Sequence, residues 1–94
     1  MSFLVFTCER TFLFARDIVA FCIRLSRQPG ARQIAGQLLR AGTSVGANTE
    51  EAKSAFTRRE FAFRNGIVLR EARESRYWLR LVLANKLASA ESVE

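Results

Sequence analysis

The chain has 94 residues, of which 49% are hydrophobic and eight are Phe, with one Pro and five Gly. That length bounds it to one domain, residues 1–94, whose core buries only about 60–65% of the unfolded surface. Fifteen Lys and Arg against nine Asp and Glu give a net charge of +6, which favours acidic partners, and a sequence without His has neither the usual general base nor most transition-metal sites.

The apolar content exceeds what a lone three- or four-helix unit hides, which favours self-association. The low Pro and Gly content fits long helices. No targeting segment is expected: Met1–Phe6 is apolar, but it has no basic leader and gives way to Glu9-Arg10. No uncharged run approaches the length of about 20 residues that spans a bilayer, so no membrane association is expected. Cys8 and Cys22 fall on or beside the first helix, about 21 Å apart along it and beyond disulfide reach. They read as free thiols of a reducing compartment, and the expected location is cytoplasmic.

Residues 1–6 are either an extended lead-in or the first turns of a helix, and Thr7 or Thr11 caps the helical segment after them. The first helix is predicted near 9–27, with Phe12, Ala15, Ile18, Val19, Cys22 and Leu25 at helical spacing. Phe14 and Phe21 widen this stripe on one side and Ile23 on the other. The apolar arc then covers more than half the circumference, against about 100–140° for a helix of a monomeric bundle. It reads either as a small core with an apolar rim or, preferably, as a second interface beside the core.

Pro29-Gly30 breaks the chain. The second helix is predicted near 31–54, with Ile34, Leu38, Ala41, Val45, Asn48 and Ala52 on one face. Gly36, Gly42 and Gly46 each cost this helix roughly 1 kcal/mol relative to Ala, and close helix contact at Gly42 and Gly46 would offset that cost. Gln37, Ser44, Asn48 and Glu51 form a polar stripe on the flank of the apolar face. It reads either as a ligand or metal pocket or, preferably, as a polar network that fixes helix register. Arg40 lies beside the stripe, within range of pairing with Glu71 or Glu74.

Thr57-Arg58-Arg59-Glu60 is a capping box that starts a third helix, predicted near 58–84. The short break before it makes helices two and three antiparallel neighbours. Phe61, Val68, Ala72, Ser75, Leu79 and Val82 form one apolar stripe, and Phe63, Ile67, Trp78 and Leu81 a second. The opposite sector carries Arg59, Arg70, Arg73, Arg76 and Arg80, with Tyr77 as the one aromatic expected among them. The tail 85–94 is too short for a loop and a full fourth helix, so it extends helix three or frays. A groove between helices one and three should then be covered by a neighbouring chain or by residues 1–6.

Several separated blocks carry a resemblance. They are Gln37-Leu-Leu-Arg40, Thr43-Ser44-Val45-Gly46-Ala47-Asn48, Glu51-Ala52, Arg59-Glu60-Phe61, Glu71-Ala-Arg-Glu74-Ser and Tyr77-Trp78-Leu79. With these the chain, from Glu9 to Leu83, resembles the four-helix-bundle proteins related to the 23S ribosomal RNA intervening-sequence protein. The resemblance implies a bacterial all-α protein, an antiparallel up-down four-helix bundle whose fourth helix is here truncated or missing, and a ring-like homo-oligomer, a pentamer. A more distant relative is the accessory variability protein of diversity-generating retroelements, which binds RNA and a reverse transcriptase. The resemblance implies no enzymatic activity.

The residues agree with that last point. Glu71-x-x-Glu74 has the carboxylate spacing of a di-iron bundle without its imidazoles. Gly42-x-x-x-Gly46 lacks the Lys-Ser/Thr of a phosphate loop. No catalytic, cofactor or metal residue is expected. The sequence therefore points to a small, basic, non-enzymatic oligomer that binds RNA through the five arginines. The alternative is a structural or protein-interaction oligomer without nucleic-acid binding.

Overall fold

Gly30 stands at φ +81°, where a side chain would be strained, and Pro29 beside it lacks a backbone donor. Together they separate two helices in the computed structural model, which describes residues 3–88. The helices are α1 (Phe3–Leu25), α2 (Arg32–Lys53) and α3 (Arg58–Ala84), and there is no strand among the described residues. The three helices fit an antiparallel bundle, and there is no fourth helix among the described residues. Three pairs fix α1 against α2: Cys8 with Thr49, Thr11 with Gly46 and Ile18 with Gly42. Arg40 with Glu71, and Asn48 with Arg64, do the same for α2 and α3. Residue numbers fall on one helix as they rise on the other in both sets, so each neighbouring pair is antiparallel, and α2 packs against both partners.

α1 begins earlier than the spacing predicts. Thr11 is no cap: its hydroxyl donates back to the Thr7 and Cys8 carbonyls, 3.0 and 3.1 Å away, inside the helix. Residues 3–6 continue α1 and do not fold across the bundle as a cover. Met1, Ser2 and the expected tail over 89–94 lie outside the described residues.

The core gathers at the Pro29 end. Ile18, Phe21, Cys22 and Leu25 of α1 meet Ala31, Ala35 and Leu38, and Val82 of α3 completes the cluster. Along α3 the buried residues are Glu71, Ser75 and Val82, so its first three turns contribute none. The apolar arc of α1 divides differently from the expected stripe. Phe21 points inward, whereas Phe12 is 62% exposed and Val19 and Ile23 are also exposed. The reason is the small residue opposite: α1 presses its Thr11 backbone onto Gly46, which turns Phe12 away from α2.

The capping box of α3 forms with one change. Thr57 Oγ1 accepts from the Glu60 N–H at 3.0 Å, but Glu60 reaches back to the Phe56 N–H at 3.2 Å, one residue beyond the cap itself. Phe56 is 97% exposed, so these bonds, rather than burial of that ring, hold the loop. Thr57→Ala should destabilise the protein by about 1 kcal/mol. Thermal melting followed by circular dichroism should then fall by about 4–8 °C for a domain of this size.

Residues 85–88 do not extend α3; the chain turns back there. Lys86 takes φ +56°, and the Lys86 and Leu87 N–H groups donate to the Leu83 and Val82 carbonyls, both at 3.0 Å. This is a Schellman turn with Lys where Gly is usual. It folds Leu87 and Ala88 onto the core cluster, where the Gln28 side-chain amide donates to the Leu87 carbonyl.

Candidate nucleic-acid interface

The helical turn of 100° per residue sets Arg59, Arg70, Arg73, Arg76 and Arg80 on the side of α3 that faces away from Glu71, Ser75 and Val82. All five are exposed. Their neutralisation depends on where Glu71 and Glu74 point, and both turn to α2. Arg40 Nη1 donates to Glu71 at 3.1 Å, and Arg40 Nη2 to Glu74. Arg70 Nε lies 4.0 Å from the other Glu71 oxygen, whereas Arg59, Arg73, Arg76 and Arg80 form no ion pair among the described residues. One half-exposed arginine of α2 thus takes both of these carboxylates.

Apolar side chains interleave with the arginines more than the pattern predicts. Phe63, placed by its spacing on an inward stripe, is 63% exposed, and Leu69 and Tyr77 are exposed as well. Tyr77 meets Trp78 edge to face, with ring centroids 5.2 Å apart and planes at 74°. Exposed arginines and the aromatic side chains of Phe63 and Tyr77 therefore share this surface, without a cation–π contact between Arg59, Arg70, Arg73, Arg76 or Arg80 and a ring among the described residues.

The polar stripe of α2 does not form one continuous network. It splits in two. Gln37 accepts from Arg40 Nε at 3.5 Å and so joins the pair with Glu71 and Glu74. Asn48 donates to the Ser44 carbonyl and hydroxyl, both at 3.0 Å, and accepts from Arg64 at 3.5 Å. Glu51 is exposed, with no bond to α3 among the described residues. Arg64, which the spacing does not single out, is half-buried, with its guanidinium carbon 5.7 Å from the Phe63 ring centroid. Its signal in the sequence is position alone: a charge on the inward face of α3.

Gly42 and Gly46 are buried against α1. A Cβ on Gly42 would lie 2.8 Å from Ile18 Cγ2, and one on Gly46 would lie 3.2 Å from the Thr11 carbonyl oxygen. Gly36 differs: a Cβ there would meet nothing within 4 Å. It lines a groove of about 260 Å³ with Val19, Ile23 and Leu39.

Both cysteines are buried and free. Burial pushes the Cys22 thiol up to about 11, and burial with Glu50 nearby raises Cys8. Neither is a thiolate at neutral pH, so neither is an activated nucleophile. No group of three or more His, Cys, Asp or Glu among the described residues is placed to hold a metal ion. No helix among them is long and apolar enough to cross a membrane.

The model of the 23S rRNA-intervening sequence protein family matches residues 7–94. A crystal structure of a protein of unknown function from the S23 ribosomal protein family of Bacteroides thetaiotaomicron VPI-5482 is similar to this one. It shares 34% sequence identity, with a TM-score of 0.87, over 92% of this chain and 80% of that one. No curated protein matches the sequence.

Proposed function

This chain belongs to the 23S rRNA-intervening sequence protein family, and from that premise we propose that it is a non-enzymatic, homo-oligomeric accessory protein that binds RNA through α3. The observation that carries the reading is the exposure of Arg59, Arg73, Arg76 and Arg80 without an ion pair among the described residues, while Glu71 and Glu74 both turn to Arg40. Phosphate contacts of this kind supply affinity without sequence choice.

Self-association is supported by a different face. Val19 and Ile23 of α1 and Leu39 of α2 are exposed along the groove at Gly36, and Phe12 is exposed two turns before Val19 on α1. Gly36 costs α2 about 1 kcal/mol with no neighbour in this chain to justify it, which suits the approach of another copy. A pentamer is the number that the family resemblance implies. Each copy repeats the arginine sector, so weak single sites add up to a multivalent surface. The alternative, an interaction scaffold without nucleic acid, shares the apolar face but leaves the arginines without a role.

Filter binding of wild type to a long structured RNA is the test, with light scattering to give the oligomeric state. Engagement of one copy's five arginines predicts that affinity falls by roughly 100-fold between about 50 and 200 mM salt. No retention at low salt would leave the scaffold reading standing.

A further inference from the structure

An open pocket of about 460 Å³ lies between α2 and α3, lined by Gln33, Ile34, Gln37 and Trp78. Its volume is within the usual range for small-molecule sites, and its chemistry is uneven. Trp78 is half-buried against the core cluster, and Ile34 also packs there. Two carboxamides from α2, one turn apart, complete the lining. Gln37 has its oxygen engaged by Arg40 Nε at 3.5 Å, which leaves its NH₂ as a free donor. Gln33 is exposed and forms no side-chain bond among the described residues, so it offers both a donor and an acceptor. The indole N–H of Trp78 is buried without an acceptor, so no hydrogen bond pins that ring in one orientation.

This pocket adjoins the arginine sector. Tyr77 stands among the arginines and touches Trp78 edge to face. Trp78 lies about 100° further round α3, on the flank toward α2. A strand whose phosphates follow Arg73 and Arg80 would pass Tyr77 and bring its bases to the mouth of the pocket.

We infer that the pocket of Gln33, Ile34, Gln37 and Trp78 takes an unpaired nucleobase, stacked on the indole and hydrogen-bonded at its edge by the two amides. A base offers a flat π-face to Trp78 and a mixed donor and acceptor edge to Gln33 and Gln37, which matches the lining. The inference rests on the RNA-binding reading for the phosphate contacts, but the base contacts stand apart from it. The protein would then bind RNA with loops or single-stranded segments in preference to a continuous duplex. The arginines would supply charge and the pocket a preference for unpaired bases.

Trp78 is the only Trp in the chain, so its emission reports on this pocket alone. The test titrates wild type with adenosine and uridine, with ribose as control, and separately with a labelled single-stranded RNA and its abasic counterpart followed by anisotropy. Saturable quenching by the nucleosides but not by ribose is expected. So is tighter binding of the base-bearing strand, by about 5- to 100-fold as stacking on an aromatic ring supplies. Gln33→Ala with Gln37→Ala should weaken nucleoside quenching several-fold at unchanged helical content. Trp78→Leu should bring both strands to the same affinity. Quenching by nucleosides without binding of either strand would keep the pocket and remove the arginine surface. Strand binding of equal strength with and without bases, with no change in emission, would overturn the pocket and leave the arginines. No nucleoside quenching and no strand binding would overturn both.

Discussion

Gly46→Leu should lower the stability of the bundle by about 3 kcal/mol, the upper end of ordinary overpacking. Its melting temperature should then drop by about 12–24 °C for a domain of this size. The cause is the identity of the atom in the way. A Cβ at Gly46 already comes within 3.2 Å of the Thr11 carbonyl oxygen, and backbone cannot rotate aside as a side-chain tip can. The remaining Leu atoms must push α1 off α2, which loosens the packing at Cys8 and Thr49 one turn away. Gly42→Leu should be nearly as harmful, since its first atom meets Ile18 Cγ2 at 2.8 Å, and Ile18 is buried and stiff at χ1. Gly36→Ala is the internal control. Nothing of the same chain lies within 4 Å of its Cβ, so helix propensity should raise the stability of the single bundle by up to about 1 kcal/mol, and loss of the oligomer in this variant would mark Gly36 as the contact with another copy. Circular dichroism melts of the three variants check this, and an unchanged transition in Gly46→Leu would show that α1 and α2 do not meet there.

The second large effect concerns binding. Replacing Arg73, Arg76 and Arg80 together by Glu should reduce RNA retention by about 1000-fold at 50 mM salt, roughly 10-fold for each phosphate deprived of its arginine. The slope of log affinity against log salt should shrink by about two to three units. These residues suit the test because all three are exposed and form no ion pair among the described residues, while Glu and Arg have similar helix propensities. Fold and oligomeric state should therefore survive, and light scattering beside the filter assay checks that they do. Equal retention by variant and wild type would discard α3 as the binding surface.

The residues differ in how much of this arrangement they announce. Pro29-Gly30 and the Thr57–Glu60 box mark helix ends because their chemistry acts within a few residues, where tertiary contacts cannot override it. The beginning of α1 is not marked in that way. Thr7 and Thr11 have the look of caps, yet a Thr hydroxyl bonds equally well to the turn before it, as Thr11 does. The choice of inward face on α1 also escapes the pattern. When apolar residues cover more than half of a helix, periodicity has no single direction, and the docking point is decided by Gly42 and Gly46 on another helix. Phe63 on α3 is misplaced for another reason: the first three turns of α3 contribute no buried residue, so its second stripe has nothing to pack against there. The Arg40 pairing with Glu71 and Glu74 is legible as a possibility from charge and spacing. Arg64 is not, because a lone arginine on an inward face has no pattern to announce it.

The Arg40 clamp also acts as an axial gauge. Glu71 and Glu74 sit three residues apart on α3, a rise of about 4.5 Å, and one guanidinium fork spans both. Sliding α3 along α2 by a turn in either direction would take at least one carboxylate out of the fork. A fork locked to two rungs fixes the height of α3 against α2 as well as the contact between them. That height decides whether Trp78 stands level with Gln33 and Gln37. An ion pair outside the pocket thereby bears on the alignment of a surface whose two halves belong to different helices.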